Sequence, residues 1–140
     1  MKLILDTDVV VAAMRSPSGA SAEIIRLARR GRVTLMVSVA LALEYEAVCK
    51  RTEHQVAAEL NEKEVNVFVD TIISLAEPVT MHFLWRPQLR DPCDEMVLEA
   101  AINGEVDALV TFNSKDFGDV PGHFGLELSL PREVIMRMKQ

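Results

Sequence analysis

Lys2-Leu3-Ile4-Leu5-Asp6-Thr7-Asp8-Val9-Val10-Val11 opens the chain and decides how the rest is read. Residues 2–5 form a short apolar run without polar alternation, the pattern of a strand buried on both faces of a parallel sheet. The run ends abruptly in Asp6-Thr7-Asp8. It then passes into a second apolar segment, Val9 to Met14, which reads as a helix until Ser16-Pro17-Ser18-Gly19 breaks it. A buried strand, an acidic turn and a helix make the first half of a βαβ unit. The acids stand at the carboxyl end of the strand, where open α/β sheets collect their ligands.

Working outward, strand and helix patterns continue to alternate. Ala22 to Arg30 is amphipathic and closes at Gly31, and Val33 to Val37 is a second apolar, β-branched strand. Ser38 is placed as N-cap of a helix from Val39 to about Lys50. Glu62 to Leu75 repeats apolar residues at helical spacing, and Val79 to Phe83 is strand-like. Asp91-Pro92 puts an N-cap and an N1 proline before a helix that runs to Asn103-Gly104. Ala108 to Thr111 is a strand, Phe124 to Leu128 an edge strand, and Pro131 to Met138 a last helix. The expected fold is α/β, a three-layer α/β/α sandwich with a mainly parallel sheet. No repeat, low-complexity tract or linker divides the chain, so residues 1–140 are read as a single domain.

Composition narrows the function classes. Hydrophobic residues make up 49% of the 140, enough for a core and too many for a disordered chain. The longest apolar stretch, Val33 to Leu43, is interrupted by Thr34 and Ser38, so no membrane span of ~20 residues is expected. Asp6 comes too early for the apolar region of a signal peptide. Cys49 and Cys93 lie far apart in helical segments, which suits reduced thiols and a cytoplasmic protein. Fifteen basic residues against 21 acidic ones leave a net charge of −6, which excludes coating nucleic acid by bulk charge. An enzyme that cuts nucleic acid is not excluded, because metal ions can supply positive charge locally.

Three carboxylates fall where a core would not want them. At 100° per residue, Glu44 lines up with Ala40, Leu41, Ala47 and Val48. Asp94 lines up with Val97, Leu98 and Ala101, which leaves Glu95 at the margin and Glu99 outside. Asp6 follows the buried strand directly. Unpaired, each would cost several kcal/mol, and no Lys or Arg occupies a matching inward position. Oxygen ligands of this kind select Mg²⁺ or Mn²⁺, and ions so held can activate water against a phosphodiester. Plainer roles remain open for several acids. Asp91 and Asp94 suit a helix N-terminus, Asp8 suits an N-cap, and Thr111, Asn113 and Asp116 suit a strand end and its turn. His54, His82 and His123 have no ligand spacing, and neither a phosphate-binding glycine loop nor a Ser/His/Asp arrangement can be read.

Four segments together resemble the PIN domain family across nearly the whole chain. They are Leu5-Asp6-Thr7-Asp8-Val9-Val10, Val37-Ser38 with Leu43-Glu44-Tyr45-Glu46-Ala47-Val48, Arg90-Asp91-Pro92-Cys93-Asp94 with Val97 to Ala101, and Ala108 to Phe117. The nearest type is the stand-alone, VapC-like PIN protein, the toxin half of bacterial and archaeal toxin–antitoxin pairs. The resemblance implies a Mg²⁺- or Mn²⁺-dependent ribonuclease with Asp6, Glu44 and Asp94 as its best-defined acids. It also implies metal ligation by Asn113 and Asp116, with Asp8, Asp91 and Thr111 as secondary candidates. The implied partners are an RNA substrate, a small antitoxin protein and further copies of the chain in a homodimer or higher oligomer. Two positions depart from the family pattern. Asp8 stands where Asn is usual, and Asn113 stands where Asp is frequent, with Asp116 available to fill in. Two rival readings survive. One is a catalytically inactive PIN domain that binds RNA or a partner. The other is a haloacid-dehalogenase-type phosphatase, for which Asp6 and Asp8 fit the opening signature but Glu44 has no role.

Overall fold

A computed structural model describes residues 1–82 and 89–139. In chain order these form β1 (Lys2–Leu5), α1 (Thr7–Arg15), α2 (Ala20–Arg29), β2 (Thr34–Val37), α3 (Val39–Cys49), α4 (Thr52–Ala58) and α5 (Glu62–Leu75). There follow β3 (Glu77–Pro78), α6 (Pro92–Asn103), β4 (Ala108–Val110), α7 (Ser114–Phe117), α8 (Val120–His123), β5 (Glu127–Ser129) and α9 (Pro131–Met138). The five strands make one sheet in the order β3-β2-β1-β4-β5, and every pairing is parallel. Leu3, Ile4 and Leu5 of the central β1 are each at most 2% exposed. Successive strand residues point to opposite faces, so both faces of the sheet are covered by helices.

The order of strands has a consequence for function. From β1 the chain builds outward through β2 to β3, then returns across the sheet to lay β4 on the other side of β1. The sheet therefore switches direction between β1 and β4, and their carboxyl ends splay apart into the crevice where such folds bind ligands. Asp6 follows β1 and Thr111 follows β4. Their backbones continue the ladder: Asp6 N–H donates to the Val110 carbonyl at 2.9 Å, and Thr111 N–H to the Ser129 carbonyl at 3.0 Å.

Caps set the helix boundaries. Ser38 Oγ accepts from Leu41 N–H at 3.1 Å, and Asp91 Oδ1 accepts from Cys93 N–H at 2.8 Å ahead of Pro92. Four expectations need correction. The first helix is capped by Asp6 rather than Asp8 and begins at Thr7, because Asp6 is the residue with extended backbone and an inward carboxylate. The third strand pairs over Glu77–Pro78, just before the expected Val79; Phe83 lies outside the described residues. The buried face of α3 is Leu41, Tyr45, Val48 and Cys49, so Ala40 and Ala47 face water and Glu44 sits at the edge of the stripe. In α6 the buried set includes Glu95 and Glu99, each 3% exposed, while Asp94 is half-buried.

Candidate active site

The crevice between β1 and β4 is built by two short turns laced together. Asp6 is 7% exposed; its Oδ1 accepts from Thr7 N–H at 2.8 Å, and its Oδ2 accepts from the Thr111 hydroxyl at 2.7 Å. The same hydroxyl oxygen accepts from Asn113 N–H at 2.9 Å, so Thr111 joins the two turns. Asp8 Oδ2 accepts from the Asn113 amide at 2.7 Å and from Phe112 N–H at 3.2 Å. Asp8 Oδ1 is buried and has no partner among the described residues.

From α3, the Tyr45 hydroxyl donates to the Leu5 carbonyl, the last peptide before Asp6. Burial, then the nearby Asp6 charge, pushes the phenol well above its ordinary range, so Tyr45 remains a donor. Glu44, one residue earlier, accepts from the Cys93 thiol at 3.6 Å, which ties α3 to the start of α6. Burial and then Glu44 raise the Cys93 pKa, so the thiol stays protonated at neutral pH. Asp94, at the same end of α6, borders a polar groove of about 450 Å³ with Asp91 and Asp116. Arg90 and Lys115 also line this groove, both as exposed residues rather than at the inward positions that the sequence leaves without a cation. The sequence hides them because both lie outside the helical stripes that the periodicity defines.

Electrostatics link these groups into one cluster. Burial raises the Asp6 pKa, with Asp116 and Asp91 adding repulsion. Burial and then Asp6 push Asp8 up to about 7, with a further contribution from Asp94. Burial and then Asp6, Asp91 and Asp116 push Asp94 up to about 6. Among the described residues, Glu44 joins this end of the sheet through its contact with Cys93.

These residues can be weighed as ligands of a divalent cation. All the donors are oxygens, the crowded carboxylates would be relieved by a positive charge, and Asp8 Oδ1 is an orphaned acceptor. Among the described residues no group of three His, Cys, Asp or Glu side chains is placed to hold an ion. The set therefore fits an ion gripped by one or two carboxylates and completed by water and substrate phosphate, the common manner of Mg²⁺ binding.

The comparisons agree with this architecture. The PIN domain family model matches residues 2–115, most of the chain. The chain belongs to the PIN domain family. PIN domains are in general nucleases, which act as hydrolases. Among solved structures, the fold is similar to a chain of the VapBC2 complex from Rickettsia felis bound to a DNA fragment from its promoter. That match has a TM-score of 0.65 and 17% identity, and it covers 93% of this chain and 98% of that one. No curated protein matches the chain. Family membership replaces the phosphatase reading of Asp6 and Asp8.

The two departures from the usual PIN pattern meet in one hydrogen bond. Asp8 and Asn113, each holding the residue type expected near the other, face one another at 2.7 Å. The amide and the carboxylate have exchanged places across the crevice. The acid missing at position 113 is thus present at position 8.

Proposed function

We propose that the chain is a divalent-metal-dependent endoribonuclease and the toxin of a toxin–antitoxin pair. The observation that carries this reading is the acidic crevice at the switch point of the sheet, where Asp6, Asp8 and Asp94 crowd together and Asp116 adds its charge beside Asp6 and Asp94. In this reading Asp6, Glu44 and Asp94 are the principal metal and catalytic carboxylates, one or two of them gripping the ion directly and the remainder acting through its water, with Asp116 and Asn113 beside them. Thr111 and Asn113 hold the carboxylates of Asp6 and Asp8 in fixed directions, and Tyr45 anchors the peptide before them. Asp91 caps α6 and so sets the position of Asp94.

A bound Mg²⁺ or Mn²⁺ would supply Lewis acidity, offsetting charge on the phosphate oxygens and easing deprotonation of water. The chain's own groups account for the rest. Arg90 and Lys115 give the strand a cationic wall in an otherwise acidic groove. Asp8, pushed up to about 7 by burial and then Asp6, can take up or release a proton near neutrality, while Oδ2 is held by two N–H bonds and Oδ1 is left open to a proton or a cation. Cys93, the one thiol at the site among the described residues, is kept protonated and donates to Glu44, which argues against a thiolate nucleophile, and in this reading water attacks instead. In this reading water attacks phosphorus as the P–O3′ bond breaks, and the departing 3′-oxygen takes up a proton, which leaves a 5′-phosphate and a 3′-hydroxyl.

An antitoxin partner and self-association are supported by exposed apolar side chains. Val39 and Leu43, one turn apart on α3, are 79% and 62% exposed and adjoin Met81 in a shallow groove. No helix among the described residues is long and apolar enough to cross a membrane, in keeping with action in the cytoplasm. A second reading, a PIN domain that binds RNA or a partner without cutting, is favoured by the lack of three ready ligands among the described residues.

End-group analysis of single-stranded RNA incubated with Mn²⁺ or with EDTA tests the assignment. Metal-dependent cleavage to 5′-phosphate ends, abolished by Asp6→Asn, is expected. Cyclic-phosphate ends or cleavage in EDTA would overturn it, and binding without cleavage by the unaltered protein would establish the second reading.

A further inference from the structure

A second pocket opens beside the acidic crevice and shares a loop with it. It has a volume of about 390 Å³ and lies between the first turns of α2 and α9, lined by Gly19, Ser21, Leu130, Pro131 and Arg132, with Phe112 at its edge. Three features set it apart from an ordinary surface hollow. The Phe112 ring is 48% exposed, although its own N–H is bonded to Asp8 in the crevice. Ser21 is 3% exposed, and its hydroxyl has no hydrogen-bond partner among the described residues. Arg132 brings a cation to the rim, and it takes part in no ion pair among the described residues.

An aromatic face, an apolar floor and a nearby cation are what a nucleotide uses. Stacking on an exposed ring is the main sequence-tolerant contact in single-strand binding. The volume falls in the ~300–1,000 Å³ range of small-molecule sites. We infer that this pocket receives the base next to the phosphodiester held in the acidic crevice, stacked on Phe112, with Arg132 toward the backbone. The inference rests on the proposed nuclease reading for its substrate, RNA.

The experiment measures binding and cleavage separately. Short single-stranded RNA carrying one 2-aminopurine is titrated with full-length protein in EDTA, where stacking quenches the fluorophore. Phe112→Ala is expected to weaken binding by roughly 5- to 150-fold, the span of base–aromatic stacking, and Phe112→Tyr to restore it. In Mn²⁺, an RNA with an abasic residue beside the cut site should be cleaved equally by the unaltered protein and by Phe112→Ala. Equal quenching in both proteins, or an equal loss of cleavage on base-bearing and abasic RNA, overturns the inference while leaving the nuclease reading intact. Quenching lost in Phe112→Ala with no cleavage by the unaltered protein would uphold the pocket and sink the nuclease.

Discussion

Asp8 and Asn113 illustrate how a single hydrogen bond redistributes charge in a site. With Asp8 ionised, the Asn113 amide satisfies Oδ2; an aspartate at 113 would instead place two carboxylates at 2.7 Å. The two positions should therefore be coupled rather than additive. Asp8→Asn removes an acid and Asn113→Asp crowds one, so each single variant should lose activity, by about 10- to 100-fold as for groups that orient metal ligands. The double variant should recover most of that loss, because it restores one amide and one carboxylate in contact. Cleavage rates for the four proteins in saturating Mn²⁺ decide the matter; additive losses would show that the contact has no functional weight. The identities of both residues were legible in the sequence. Their bond was not, since nothing local brings positions 105 apart into register.

At the scale of elements, α3 and α6 show where periodicity succeeds and where it fails. The strand ends were readable because a β-branched apolar run stopping at Asp6 or Thr111 has one physical meaning, and the caps Ser38 and Asp91 were readable for the same reason. The buried face of α3 was not readable, because Val39 to Leu43 are all apolar and any face could have been the inward one. The deciding residue is Tyr45, whose polar tip disguises a side chain 2% exposed. In α6 the polar members Glu95 and Glu99 are buried, and Glu95 Oε2 accepts from Leu89 N–H at 2.8 Å, a partner contributed by the preceding loop. Tyr45→Phe keeps the volume and deletes only the hydroxyl that reaches the Leu5 carbonyl. It is expected to cost about 1–3 kcal/mol, read as a lower urea midpoint at constant slope, and to reduce cleavage by loosening Asp6. A midpoint that does not move would mean that the bond adds nothing to the position of β1.

For the whole molecule, the acidic crevice makes stability depend on pH in a direction opposite to ordinary acid denaturation. Asp8 at about 7 and Asp94 at about 6 both lie above the 3.8 of an unhindered aspartate, and Asp6 is raised as well. Between about pH 4 and pH 7 the folded chain thus binds more protons than the unfolded one, so stability falls as pH rises and levels off above 7. Both groups are partly open to solvent, which leaves an effect on the order of 1–2 kcal/mol, a melting temperature roughly 3–8 °C lower at pH 8 than at pH 5 in EDTA. Asp6→Asn keeps a capping oxygen for Thr7 while removing one charge, and should raise the metal-free melting temperature at pH 8 but not at pH 4. Divalent ions should act in the reverse sense: they bind the folded state, compete with protons, and stabilise more at pH 8 than at pH 5, by about 2.7 kcal/mol at a hundredfold excess over Kd. Scanning calorimetry across pH with EDTA, Mg²⁺ or Mn²⁺ reads all three effects. A metal-free stability that rises from pH 5 to pH 8 would show that the carboxylates do not repel one another as their burial and spacing require.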